Sequence, residues 1–160
     1  MKFDYIKCPL NKYTFRIKPI REWVENECEG RTLNLFAGKT LLSIDEVRND
    51  IDETMDAEYH KDAYLFVKEW KSGKFNTILL DPPYAIRKSM EFYNGHKASP
   101  FRKIKDEIPR ILENGGKVIT FGYHSVSMGI NRGFEVEKVC LFSHGGAIHD
   151  TIATVERKVK

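Results

Sequence analysis

Apolar positions recur along this chain with two different periods. Between residues 14 and 28, Ile17, Ile20, Trp23, Val24 and Cys28 fall near helical spacing. Pro19 then sits in the first turn of the helix, and Gly30 follows as a stop. Thr32 to Ala37 reads as a strand ending at Gly38, with a second strand near Val47 to Ile51 and a third near Tyr59 to Ala63. A helix is predicted from Tyr64 to Trp70, before Ser72-Gly73. Phe75 to Leu80 is mostly apolar and partly β-branched, as a buried strand requires. It must stop at Asp81, because Pro82 and Pro83 permit neither helix nor ladder. Residues 101 to 114 read as a helix through Phe101, Ile104, Ile108, Ile111 and Leu112, bent by Pro109 and ended by Gly115-Gly116. Lys117 to Tyr123 is the next strand, and Phe134 to Leu141 with Thr151 to Val159 forms an antiparallel pair.

Strands alternating with helices imply an α/β fold with a mainly parallel sheet. The terminal hairpin makes that sheet mixed. A length of 160 residues predicts one domain over 1–160, with 1–30 as an N-terminal arm and helix. No segment is long enough for a separate target-recognition domain. The 41% apolar content is enough for a core. The N-terminus lacks a secretory h-region and no run suits a membrane span, so the expected location is cytoplasmic. Cys8, Cys28 and Cys140 are far apart, predicting reduced thiols and no zinc site. A formal charge of +3 is compatible with nucleic acid.

Gly38, Asp50, Asp62 and Asp81 each follow a predicted strand. Four such positions at successive strand ends define one ligand face of an open α/β sheet. At Asp81-Pro82-Pro83-Tyr84 the chemistry is most specific. The carboxylate accepts an N–H, the stiff turn exposes carbonyls and the aromatic ring stacks, which together suit a flat base with an exocyclic amine. Gly38-Lys39-Thr40 is not a Walker A loop, since Leu33 stands where that loop needs a glycine. Ala85 to Lys105 is basic and carries aromatics. Arg87, Lys88, Lys97 and Arg102, with Phe92 and Tyr93 between them, are candidates for nucleic-acid contact. Phe121-Gly122-Tyr123-His124-Ser125 ends the fifth strand, where a base pocket is expected. His144 and His149 have no metal-building spacing.

The Asp81–Tyr84 tetrapeptide resembles the signature of S-adenosylmethionine-dependent amino-methyltransferases, above all those acting on N6 of adenine in DNA. Leu33-Asn34-Leu35-Phe36-Ala37-Gly38-Lys39-Thr40 resembles their first motif, with Thr40 in place of its second glycine. Ile111 to Ile119 resembles the helix-turn-strand after the catalytic strand. The resemblance runs from about residue 31 to the end and implies a Rossmann-like class I fold. It implies S-adenosyl-L-methionine held by Phe36, Ala37, Gly38, Lys39, Asp50, Asp62, Ala63 and Asp81. Asp50 would take the ribose hydroxyls, with Asp52 the fallback, and Asp62 would face the adenine amino group. Catalysis would rest on Asp81, Pro82 and Tyr84. The expected reaction is N6-adenine methylation in nucleic acid, DNA favoured over RNA. N2-guanine methylation of ribosomal RNA and a non-catalytic subunit that binds cofactor or nucleic acid remain open alternatives. Asn11 to Phe15 corresponds to the segment that closes over the cofactor's methionine end.

Two connections are short. Only eleven residues separate Gly38 from Asp50, and Asp52 lies close to Tyr59. Two crossover helices are therefore expected to be missing, leaving apolar sheet to be covered. The N-terminal helix or a second subunit is the expected cover. This predicts a homodimer or a specificity partner, and no membrane.

Overall fold

Burial decides where each strand lies. Ile78, Leu79 and Leu80 are all fully buried, so their strand must have both faces covered. In the computed structural model, which describes residues 1–83 and 100–160, that strand is an interior one of a single seven-stranded sheet. The strands are β1 (Lys2–Lys7), β2 (Thr32–Asn34), β3 (Glu46–Arg48), β4 (Phe75–Leu80), β5 (Leu112–Gly122), β6 (Phe134–Ser143) and β7 (Thr151–Lys158). Their order is β1-β6-β7-β5-β4-β2-β3. Pairings from β3 through β5 are parallel, and β7 runs antiparallel to both β5 and β6.

Helix α1 (Lys18–Glu27) has Pro19 in its first turn and buries Ile20, Trp23 and Val24 against one face, over Leu79, Ile119, Phe121 and Phe142. Trp23 meets Phe121 and Phe142 edge to face. Helices α2 (Ala63–Glu69) and α3 (Pro100–Ile111) cover the other face. Phe101, Ile104, Ile108 and Ile111 recur on one side of α3, the helical period that buries a stripe.

Several expectations change. The third strand contracts to a single parallel bridge between Asn49 and Tyr59. The Asn49 side chain donates to the carbonyls of Leu35 and Lys61 and accepts from Lys61 N–H, which replaces a ladder there. Helix α2 begins at Ala63 because Asp62 caps it, accepting from the N–H groups of Tyr64 and Leu65. Helix α3 ends at Ile111, three residues short of the expected stop, because Leu112 already pairs with Phe75 in the sheet. Pro109 lies within its last turn. Lys158 Nζ donates to the carbonyls of Pro109 and Leu112, so a buried ammonium satisfies that end of the helix. Strand β1 was not foreseen. It runs parallel to β6 at the far edge, and Trp23 Nε1 donates to Asp4 Oδ2 at 3.1 Å.

Both short connections indeed lack helices. Leu42 and Ile44, in the loop between β2 and β3, pack into the same cluster as α1. The N-terminal helix and this loop thus supply the cover that the sequence required.

The segment after β5 is held differently. Glu156 on β7 is fully buried, and its carboxylate accepts from the N–H groups of Ser127, Met128 and Gly129 at 3.1, 2.8 and 2.9 Å. Glu156→Ala strands these donors and is expected to cost about 3 kcal/mol or more. Urea unfolding monitored by tryptophan fluorescence measures it.

Candidate functional site

The carboxyl ends of β2, β3 and β4 open onto one cleft of about 520 Å³. The loop after β2 forms its floor. Gly38 takes a φ of +64°, a left-handed conformation that suits glycine, and open space lies where a Cβ would stand. Arg48, at the end of β3, shapes this loop from beneath. Its guanidinium donates to the carbonyls of Ala37, Gly38, Thr40 and Asp56 at 2.7 to 3.2 Å, and to Glu46 Oε1 at 2.8 Å. A planar fork of donors suits such a divergent set of acceptors, and Arg48 is only 3% exposed. Glu46 in turn accepts from Leu42 N–H and Asn34 Nδ2. The carbonyls around Thr40 are therefore fixed without a second glycine.

Asp50 Oδ2 accepts from Gly38 N–H at 2.8 Å, and Oδ1 accepts from Asp52 N–H at 3.0 Å. Each oxygen keeps capacity for a further hydrogen bond. Asp52 folds back on Thr54, whose N–H and hydroxyl both donate to Oδ1. Those bonds hold its carboxyl below its ordinary pKa. Asp52 still borders the cleft. The cap on α2 uses Oδ1 of Asp62, leaving Oδ2 for a ligand.

Every residue predicted to hold the cofactor lines this one cleft: Phe36, Ala37, Gly38, Lys39, Asp50, Asp62, Ala63 and Asp81. Pro82 and Pro83 line it too, directly after β4. Asp81 is half-buried and Pro82 buried. From the opposite side come Lys12, Tyr13, Thr14 and Phe15 of the N-terminal arm, and Lys39 Nζ lies over the Tyr13 ring at 5.1 Å.

Tyr84, Arg87, Lys88 and Lys97 lie outside the described residues. Arg102 is exposed on α3, whereas Lys105, part of the same basic stretch in the sequence, is buried. Sequence reasoning missed Arg48 and Asn49. A charged residue closing a three-residue strand gives no signal of burial, and Asn49 reads as a turn former.

A second cavity of about 330 Å³ adjoins the first, and Pro82 and Tyr123 belong to both. Phe121, Gly122 and His124 line it as well. Among the described residues no group of three His, Cys, Asp or Glu side chains could hold a metal. Burial pushes the thiols of Cys28 and Cys140 up to about 12, which makes them poor nucleophiles. No described helix is long and apolar enough to cross a membrane.

No protein-family model and no curated protein matches the chain. Solved structures do match. TrmN from Thermus thermophilus superposes with a TM-score of 0.65 at 14% identity, over 89% of this chain and 49% of that one. N-methyltransferase NodS from Bradyrhizobium japonicum WM9 gives 0.62 at 9% identity, over 89% and 98%. The glycopeptide N-methyltransferase MtfA, complexed with (S)-adenosyl-L-methionine, gives 0.55 at 12% identity, over 88% and 92%. The chain thus spans about half the length of the TrmN structure and nearly all of the other two. At these identities the likeness is one of fold: a mixed α/β, Rossmann-like sheet of the class I methyltransferase type.

Arg48→Lys retains the charge and loses the fork. It is expected to lower the unfolding free energy by about 2 kcal/mol, as buried carbonyls lose their donors. Arg48→Met should cost more, because Glu46 is then left without its cation. Chemical denaturation of both variants checks the order.

Proposed function

We propose that this protein transfers a methyl group from S-adenosyl-L-methionine to an exocyclic amine of a nucleic-acid base. N6 of adenine is the leading target, and DNA is favoured over RNA. The observation that carries the reading is convergence: the Asp81-Pro82-Pro83 turn borders the same cleft as the Gly38 loop, Asp50 and Asp62.

The residues present fit the cofactor. Gly38 leaves open space at its Cα, and two carboxylates with acceptor capacity stand on the same rim. Asp50 would accept from ribose hydroxyls and Asp62 from an adenine amine. Tyr13 and Phe15 would cover the methionine end. S-adenosyl-L-methionine, when bound, supplies an electrophilic methyl on a sulfonium.

The acceptor amine is a poor nucleophile because its lone pair is delocalised into the ring. Asp81 would accept one N–H and the Pro82 carbonyl the other. This draws the nitrogen toward tetrahedral geometry and frees the lone pair. As the nitrogen takes up the methyl and becomes cationic, the Asp81 carboxylate would stabilise that charge and pass the surplus N–H proton to solvent. Positioning and fixed electrostatics supply most of the acceleration. Tyr84, next in the sequence, would stack on the base. In duplex DNA the base must first leave the helix, at a cost of about a few kcal/mol. A single-stranded acceptor avoids most of that cost.

Labelled cofactor incubated with DNA and with RNA, followed by nucleoside digestion, tests the reading. N6-methyladenine is the expected product. N2-methylguanine would keep the amine chemistry and reject the adenine target, and cofactor binding without turnover would point to a missing partner subunit. Asp81→Ala should lower kcat by about 100-fold or more while thermal stability is kept. Retained activity would reject the mechanism. Tyr84→Ala should weaken acceptor binding by roughly 1–3 kcal/mol.

A further inference from the structure

The second cavity carries polar groups that the fold does not use. Thr120 Oγ1, on β5, and Ser127 Oγ, after it, are buried with no hydrogen-bond partner among the described residues. Thr120 is only 9% exposed. Burying a hydroxyl without a partner is unfavourable, so an unpaired one in a cavity wall marks a place for a ligand atom. Lys105 of α3 is equally buried and lines the same wall. Its ammonium donates one hydrogen bond, to the Ser127 carbonyl at 3.0 Å, and lies 4.8 Å from the centre of the Phe101 ring. Among the described residues the other two of its three protons have no acceptor. Burial, reinforced by the charge of Arg132, holds this lysine below its ordinary pKa. Apart from His124, the rest of the wall is mostly flat and apolar: Phe101, Tyr123 and Pro82 among others.

Donors gathered between aromatic surfaces fit a planar ring that presents lone pairs at its edge. The cavity meets the cofactor cleft at Pro82, next to Asp81. We propose that this cavity seats the acceptor base, and that Lys105, with the Thr120 and Ser127 hydroxyls, reads a hydrogen-bond-acceptor atom on that base. The atom is a ring nitrogen or carbonyl oxygen on the edge that also carries the amine. Adenine offers ring nitrogens there, and guanine offers a carbonyl oxygen. The shared requirement is a lone pair facing a buried ammonium. This deepens the methyl-transfer reading and rests on it.

Thr120→Val and Lys105→Met test the assignment. Thr120→Val keeps the shape and removes an unpaired hydroxyl, so Tm should hold or rise. Its KM for the nucleic-acid acceptor should nevertheless rise several-fold. Lys105→Met should raise that KM about tenfold or more, with a smaller change in kcat. S-adenosylhomocysteine affinity, read by calorimetry, should stay within about twofold of wild type in both variants, as neither residue lines the first cleft.

Base analogues identify the atom. Oligonucleotides carrying 1-deazaadenine or 7-deazaadenine, or 2-aminopurine if guanine is the acceptor, should penalise the wild type about tenfold and Lys105→Met hardly at all. Unchanged acceptor KM in both variants, with normal wild-type methylation, overturns this assignment and leaves the methyl-transfer reading standing. A wild type that neither binds S-adenosylhomocysteine nor methylates removes the reading itself. Titrating adenosine and guanosine 5′-monophosphates into wild type and Lys105→Met then decides the cavity. Weaker binding by the variant supports it, and equal binding overturns it.

Discussion

Beneath the first loop lies a guanidinium with almost no access to solvent, and the geometry of the cleft depends on it. Arg48 binds carbonyls from Ala37, Gly38, Thr40 and Asp56, which come from both sides of the strand that carries it. A charge in this position is tolerable only because Glu46 is beside it and every branch of the fork finds an acceptor. The consequence for the site is positional. Gly38 N–H is turned toward Asp50, and the loop is held against the ends of β2 and β3. Ordinarily the carbonyl groups of a tight turn face water. Here they face a protein cation, which leaves the opposite side of the loop to a ligand.

The parts of the molecule that were legible in the sequence are those fixed by local rules. Prolines 82 and 83 stop β4 wherever that strand packs, and glycine at 38 permits the turn whatever lies beneath it. Acids directly after apolar runs could be assigned to strand ends for the same reason. Long-range pairing was less visible. Strand β1 reads Lys-Phe-Asp-Tyr-Ile-Lys and becomes a strand because β6, more than a hundred residues later, offers it an edge. The third strand shrank because one asparagine side chain could satisfy the backbone groups that a ladder would have paired. Buried charge was the least visible of all. Arg48, Lys105, Lys158 and Glu156 look like surface residues until the elements that enclose them are assembled.

These buried charges share a pattern. Each satisfies backbone groups that the secondary structure leaves over: loop carbonyls for Arg48, the end of a helix for Lys158, three consecutive N–H groups for Glu156. Lys105 makes the fewest hydrogen bonds of the four among the described residues, a single one. The sheet therefore divides the work. Its β2–β4 end presents carboxylates and backbone to one cavity, whereas β5 and the segment after it present hydroxyl groups to the other, joined there by the ammonium of Lys105 from α3. Pro82 and Tyr123 line both.

Strand β1 has a mechanical effect on the rim of the first chamber. Its register with β6 reaches Lys7, Cys8 N–H still donates to the Ser143 carbonyl, His144 Nδ1 lies 3.3 Å from the Pro9 carbonyl, and the rim begins at Lys12. The three steps from Pro9 to Lys12 extend to about 10 Å at most, and α1 anchors the other flank from Lys18. The rim is a strap fastened at both ends rather than a hinged door. Its travel is bounded by that span, so the outer edge of the sheet sets where the rim can lie.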